Sequence, residues 1–312
     1  MSQSHDNTPT PLPAKLLLPW YWPLWLALGL LWLVAQLPYR AQLTVGRMLG
    51  AVLFAVAPRR RGIARINLDL CFPELAPSQR ARLLRDHFHS LGMSIVEAAM
   101  AWWTPADRLR VLAKASGAHY VTEQLDRGHG VVVLGGHYTT LEISGALVAL
   151  ATPVRFNLVY RPHENTLIEW MFQRFRHRHA MRAIPREDVK TMARVLRNRE
   201  VVWLAADQNF GLKNSLFSPF FGVPAATNTA TSRLARLGHA VVVPYVSRRL
   251  PRTAGYEIAF LPALEDFPSD DVQRDTDRVN LTIEHQVRRA PEQYLWIHRR
   301  FKDRPPGEQR FY

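Results

Sequence analysis

From Val131 onward the chain alternates short β-branched apolar runs with longer amphipathic ones, and this alternation restricts the available folds more than any other feature. Val131–Leu134, Val154–Tyr160, Val201–Ala205, Ala240–Val246 and Tyr256–Leu261 read as strands. Thr139–Ala149, Asn165–Arg178, Asp188–Arg197, Asn228–Leu237 and Ser269–Arg289 read as helices, and a last short strand is expected at Tyr294–His298. Strands separated by helices cannot pair through tight hairpins and run parallel instead. The expectation is an α/β fold with a mostly parallel central sheet flanked by helices. No internal repeat or linker divides this body.

The first hundred residues have a different character. Residues 1–15 are polar and proline-rich and are expected to be a disordered tail. Leu16–Tyr39 then runs 24 positions without a charged residue, with Trp20, Tyr21, Trp22 and Trp25 at one end and Tyr39 at the other. That is the pattern of an N-terminal membrane-anchoring or transmembrane helix with interfacial aromatics, although Pro19 and Pro23 interrupt its start. A buried core helix is the alternative. A cleavable signal peptide fits less well, because no basic leader or small-residue cleavage site is evident. Arg40, Arg47, Arg59, Arg60, Arg61 and Arg65 follow the segment and only Lys15 closely precedes it, so the positive-inside bias puts residues 40–312 in the cytoplasm. Residues 41–57 and Ser78–Trp103 read as amphipathic helices, the second with Leu84, Phe88, Leu91, Ile95, Ala99 and Trp102 in register.

A net charge of +14 predicts attraction to something acidic, such as nucleic acid, anionic lipid or an acidic protein. No RNA-binding signature, zinc-finger spacing or phosphate-loop motif accompanies it. The single cysteine, Cys71, excludes an internal disulfide framework and suits a reducing compartment.

Chemistry concentrates at Gly130–Leu147, GVVVLGGHYTTLEISGAL, where a strand end, two glycines and a helix start enclose His137 and Glu142. Residues five apart do not share a helix face, so the pair can meet only with His137 in the turn and Glu142 in the first helical turn. Glu142 can then orient one imidazole nitrogen and leave the other as a general base. Equally, Thr139-x-x-Glu142 is a capping box, which needs no catalysis. Arg161 follows a strand-like run at the edge where α/β sheets place ligands. Arg174, Arg176 and Arg178 form a cluster suited to phosphates or simply a solvated face, and His177 with His179 lacks a convergent carboxylate for a metal site. Asp207 ends another strand-like run and can orient an arginine or a substrate hydroxyl, or only form a turn. Ser218–Gly222 is either the lining of an acyl channel or a buried turn.

Six blocks together resemble the late acyltransferases of lipid A biosynthesis, the lauroyl/myristoyl acyltransferase family: RINLDLCFPE (65–74), GGHYTTLE, YRPHEN (160–165), ADQNFG (206–211), FSPFFGVPAATNTATSRLA (217–235) and PEQYLWIHRRFKDRP (291–305). The resemblance implies a glycerolphosphate-acyltransferase-like domain on a single anchor at the bacterial inner membrane, single-pass or monotopic, with its catalytic face in the cytoplasm. It implies acyl transfer from acyl-acyl carrier protein to a hydroxyl on an acyl chain of a lipid A precursor. The His-x4-acid motif falls on His137 and Glu142 as catalytic base and partner, and Arg176, Asp207 and Arg161 fall in the substrate site. Neither metal nor cofactor is implied. Acidic acyl carrier protein, a phosphorylated lipid A precursor and an anionic membrane surface become the partners for the positive charge, in place of nucleic acid. The rivals are a transferase acting on a glycerophospholipid or ornithine-type lipid and, more remotely, a non-catalytic membrane-anchored basic binding protein.

Overall fold

Val131 and Val133 face one apolar core, Val132 and Leu134 the other, so the period-two alternation of a strand here separates two buried layers rather than core from solvent. The computed structural model describes residues 12–176 and 182–312, the side chain of Arg176 excepted. Four long helices come first: α1 (Trp22–Gln36), α2 (Tyr39–Val56), α3 (Pro58–Cys71) and α4 (Pro77–Trp103), followed by the short α5 (Ala106–Arg110). The alternating part runs β1 (Ala113–Ser116), α6 (His119–Asp126), β2 (Gly130–Gly135), α7 (Leu141–Ala151), β3 (Phe156–Tyr160), α8 (Thr166–Arg176), β4 (Ala183–Pro185), α9 (Val189–Arg197) and β5 (Val201–Ala205). A hairpin β6 (Ser215–Phe220) and β7 (Val223–Asn228) precedes α10 (Ala230–Gly238), β8 (Ala240–Arg249), β9 (Tyr256–Phe260) and α11 (Val272–Arg289).

Seven strands form one sheet in the order β1-β9-β8-β2-β5-β3-β4, parallel throughout except for β8 against β9. Helix α7 packs on one face with Ile143, Leu147 and Val148, while α9, α10 and α11 cover the other. The α/β architecture expected from the alternation is therefore present. The expected strand at Tyr294–His298 is instead a single bridge, Tyr138 to Tyr294, that leads into a turn, directly after a 3-10 turn at Pro291–Gln293. Ser218–Gly222 belongs to the β6–β7 hairpin, whose turn places Phe221 and Gly222 at positive φ and buries Phe220 and Phe221.

The uncharged run 16–39 is not one helix. Ala14–Leu17 and Pro19–Tyr21 are 3-10 turns, Pro23 sits in the first turn of α1, and Leu37 before Pro38 is extended at φ −67°, ψ 161°. A residue preceding proline is pushed out of the helical region, which ends α1 there. Its 15 residues span about 22 Å, short of the ~30 Å hydrocarbon core. Among the described residues no single helix is long and apolar enough to cross a membrane, and α2 with α3, which pass together, bend by 96°. The first eleven positions of the expected tail lie outside the described residues.

Helix α4 supports the whole assembly. Its Gly92 meets Gly46 and Gly50 of α2 so closely that a Cβ on Gly92 would lie 2.1 Å from Gly50 N and 2.2 Å from Gly46 O. The buried surface of α4 is broader than one apolar stripe, because α2 packs on one side and the sheet layer on another. It includes His87, Ser90 and Glu97, while Ile95, expected inside, is 38% exposed.

Candidate active site

Strands β2 and β5 are neighbours in register, Gly135 opposite Ala205. Each chain leaves its strand and places a polar residue two positions on: His137 after β2 and Asp207 after β5. Asp207 Oδ1 lies 2.6 Å from His137 Nδ1, and Oδ2 accepts the backbone N–H of His137 at 2.8 Å. Gly136 leaves room for the Tyr138 ring, 3.0 Å from where a Cβ would stand, whereas Asp207 Oδ2 at 3.5 Å would be in ordinary contact. Asp207 is 1% exposed and His137 23%. Burial alone would raise the Asp207 carboxyl, but the adjacent His137 charge and the hydrogen bonds from His137 and Tyr294 hold it at about 2. An ionised Asp207 puts the imidazole proton on Nδ1, so Nε2 presents its lone pair. Nε2 has no hydrogen-bond partner among the described residues.

The carboxylate on the imidazole Nδ1 is Asp207, because parallel register brings the ends of β2 and β5 together across seventy positions of sequence. The sequence reading assigns the imidazole to Glu142, and Asp207 to an arginine or a substrate hydroxyl. The capping-box alternative for Glu142 is not realised. The N-cap of α7 is Thr140 without a side-chain cap bond, and the Thr139 hydroxyl pairs instead with Ser90 Oγ at 2.7 Å. Glu142 stands in the first turn of α7, on the wall of a cavity it shares with His137.

The turn carrying His137 is clamped by the C-terminal block. Leu295 N–H donates to His137 O at 3.0 Å and Thr139 N–H to Gln293 O at 2.8 Å. Gln293 also exchanges two hydrogen bonds with the backbone of Arg249, which donates to Glu97 through Nε and NH2 at 2.5 and 2.6 Å and to Ser90 through NH1 at 3.0 Å. Tyr256 OH donates to Glu97 as well, at 2.7 Å. Ser90, Glu97, Thr139, Arg249 and Gln293 are all at most 8% exposed, so this ring of charged and polar groups is closed to water. Sequence reasoning missed it. Glu97 interrupts an otherwise apolar helix face, and that was its one visible signal.

Two cavities meet at His137. The smaller, about 200 Å³, is walled by Trp102, Phe156, Phe175, Trp203 and Tyr245 with Glu142 among them. Phe175 stacks on Trp102 with ring centroids 5.4 Å apart. The larger, about 580 Å³, opens over the ends of β3, β4 and β5 and has a mixed wall, apolar at Met192, Leu204 and Leu234 and carrying Arg161, Arg186, Arg233, Asn209 and His298. His298 accepts the Asn209 backbone N–H through Nε2 at 3.0 Å, and burial pushes its pKa down to about 4. Arg161 lines both cavities and lies 3.6 Å from Glu164. Arg176 ends α8, but its side chain, like His177, Arg178 and His179, lies outside the described residues. Arg174 lies over the Trp170 ring at 5.5 Å.

An α/β sheet with a histidine–aspartate pair at the carboxyl ends of adjacent strands, between an apolar and a cationic cavity, is a site for moving a group off or onto an amphipathic molecule. The family model described as bacterial lipid A biosynthesis acyltransferase matches residues 11–303, and the chain belongs to that family. It is 40% identical to the lipid A biosynthesis palmitoleoyltransferase of Escherichia coli (strain K12) over 94% of this chain and 95% of that protein. It is 39% identical to the lipid A biosynthesis lauroyltransferase of the same organism, with 94% and 95% covered. To a lipid A biosynthesis acyltransferase of Haemophilus influenzae it is 33% identical, with 93% of each chain covered. The chain is thus an acyltransferase of lipid A biosynthesis.

Proposed function

We propose that the enzyme transfers a fatty acyl chain from acyl-acyl carrier protein to a hydroxyl on an acyl chain of a lipid A precursor of the Kdo-lipid IVA type, in lipopolysaccharide biosynthesis. The observation that carries this reading is the open Nε2 of His137, between an apolar and a cationic cavity, with Nδ1 held by Asp207.

His137 Nε2 takes the hydroxyl proton as the oxygen attacks the thioester carbonyl. The new C–O bond forms, the C–S bond breaks, and the imidazolium returns its proton to the departing thiolate. Asp207 keeps the proton on Nδ1 and stabilises the imidazolium. Glu142, on the same cavity wall, adds a second negative charge that favours the imidazolium as it develops. Arg176 and Arg161 are the residues assigned to substrate, Arg176 as the cation that offsets the charge building on the thioester oxygen. The His137 N–H, already donated to Asp207, is not available for that oxygen. The narrow aromatic cavity suits a hydrocarbon segment.

We assign membrane attachment to α1, α2 and the 3-10 turn before them, supported by the exposure of Trp20, Trp22, Leu26, Leu30, Met48 and Val56. We read these as a monotopic surface on the cytoplasmic face of the inner membrane, where acidic acyl carrier protein and anionic headgroups meet a chain of net charge +14. The test is transfer by detergent-solubilised protein from a panel of acyl-acyl carrier proteins to the tetra-acylated precursor, read by product mass. A gain of one acyl chain, absent in His137→Ala, is expected. Transfer only to a glycerophospholipid or ornithine-type acceptor would overturn the acceptor assignment.

A further inference from the structure

The larger cavity has a composition that acid–base chemistry at His137 does not require. Arg161 follows β3, Arg186 follows β4 and Arg233 stands on the first turn of α10, so three separate elements bring guanidinium groups to one basin. Among the described residues the one carboxylate on its wall is Glu187, already paired with Arg186 Nε at 2.6 Å. Arg186 also lies over the Phe210 ring at 5.4 Å. The Arg233 guanidinium has no hydrogen-bond or ion-pair partner among the described residues. Asn209 spends its Oδ1 on the Gly211 N–H at 2.9 Å, and its buried Nδ2 has no partner among the described residues. The basin therefore presents amide and guanidinium donors in excess of the acceptors around it. At about 580 Å³ it falls within the ~300–1,000 Å³ of small-molecule sites.

Building on the proposed transfer reaction, we infer that this basin holds the phosphorylated sugar head of the acceptor, with Arg233 and Arg186 on the phosphate and the Asn209 amide on a sugar oxygen. Planar guanidinium forks match phosphate oxygens two at a time, and an unpaired amide donor matches a carbohydrate hydroxyl or ring oxygen. His137 borders the basin, so a head seated there keeps its acyl chains near Nε2. The other phosphate within reach of this chemistry is that of the donor's carrier arm, and the experiment separates the two.

Arg233→Gln and Arg186→Gln are assayed in steady state with each substrate varied in turn. Both arginines are exposed, so folding is expected to survive, which a thermal melt checks. The expected result is a KM for the phosphorylated acceptor raised about tenfold, with kcat and the KM for acyl-acyl carrier protein within about twofold of the parent. Acceptor stripped of its phosphates is expected to show the same raised KM with the parent enzyme and no further loss with Arg233→Gln. A raised donor KM instead would assign the basin to the carrier arm and overturn the inference, as would losses that add. A second arm needs no turnover: the full-length His137→Ala protein is titrated with deacylated phosphorylated glucosamine disaccharide and with its unphosphorylated counterpart, following tryptophan fluorescence. Phosphate-dependent binding lost in Arg233→Gln sustains the inference even if transfer to a lipid A precursor fails. Transfer without such binding removes the inference and leaves the proposed reaction standing.

Discussion

His137 Nδ1 and Asp207 Oδ1 lie 2.6 Å apart because Gly135 and Ala205 are paired in the sheet and each residue stands two positions past its strand. The contact is a consequence of strand register, so any change that slips β2 against β5 separates the pair. Replacing Asp207 with Asn keeps the shape and removes the charge. The amide then no longer enforces a proton on Nδ1, and an imidazole protonated on Nε2 cannot act as base. Asp207→Asn is expected to lower kcat by about 10³-fold or more with little change in KM, measured by initial rates across the donor panel.

The same carboxylate makes the fold acid-sensitive at the low end. Its pKa falls from 3.8 to about 2, so the native state holds it ionised more tightly than the unfolded chain does. That stabilisation, on the order of 2 kcal/mol, is complete above about pH 4 and is lost as the pH falls toward 2. Urea midpoints measured in that window are expected to decline less steeply for Asp207→Asn than for the parent.

Two histidines, His87 buried and His298 half-buried, act at higher pH with the same sign. Burial lowers His87 and His298 from 6.5 to about 4. The unfolded chain binds these protons first, so stability is full above about pH 6.5 and erodes as the pH falls toward 4, by up to ~3 kcal/mol per histidine. His87 is fully buried, with Nδ1 on Glu292 O at 3.2 Å and Nε2 without a partner among the described residues. His87→Leu is expected to flatten the stability profile between pH 6.5 and 4, read by thermal melts in a pH series.

The layered α/β body was legible because β-branched runs such as Val131–Leu134 carry a local signal. Strands β1, β4, β6 and β7 were not, since Ala113–Ser116 and Ala183–Pro185 are too short and mixed to show a period. His137 was legible from two glycines between a strand and a helix. Its partner was not, because strand order is a long-range property and Asp207 reaches it only after β5 inserts beside β2. Composition suggested one long membrane helix over 16–39; the prolines at 19, 23 and 38, visible in the sequence, decide its segmentation.

The glycine seam between α2 and α4 gives a test of packing with an internal control. A methyl at Gly92 collides with backbone atoms of Gly46 and Gly50, which cannot rotate away, whereas a methyl at Gly62 in α3 meets nothing within 4 Å. Gly92→Ala is expected to cost about 3 kcal/mol or more. Gly62→Ala is expected to be neutral or stabilising by about 0.5–1 kcal/mol. Denaturant midpoints distinguish them.

The exposed apolar face of α1 predicts partitioning. Leu26 and Leu30 are 68% and 56% exposed, so Leu26→Glu with Leu30→Glu leaves the core intact and is expected to change stability by less than about 1 kcal/mol. Each leucine buried in lipid is worth ~1.5–3 kcal/mol. The double variant is therefore expected to bind anionic vesicles at least about a hundredfold more weakly in a co-sedimentation assay. Unchanged binding would mean that this face does not contact lipid.

The buried ring around Arg249 separates holding the fold from holding the catalytic turn. Glu97 accepts two bonds from Arg249 and one from Tyr256. Glu97→Gln leaves a guanidinium buried without a counter-charge and is expected to cost on the order of 3–5 kcal/mol. Replacing both partners, Glu97→Leu with Arg249→Met, removes the buried charges together and is expected to restore most of that stability. It does not restore the chain from Arg249 through Ser90 to Thr139, two residues from His137. The double variant is therefore expected to melt near the parent yet show kcat lowered about tenfold or more, because an imidazole displaced by a fraction of an ångström loses its aim at the attacking hydroxyl. If kcat recovers together with stability, the ring serves the fold alone and Gln293 and Leu295 suffice to hold the turn.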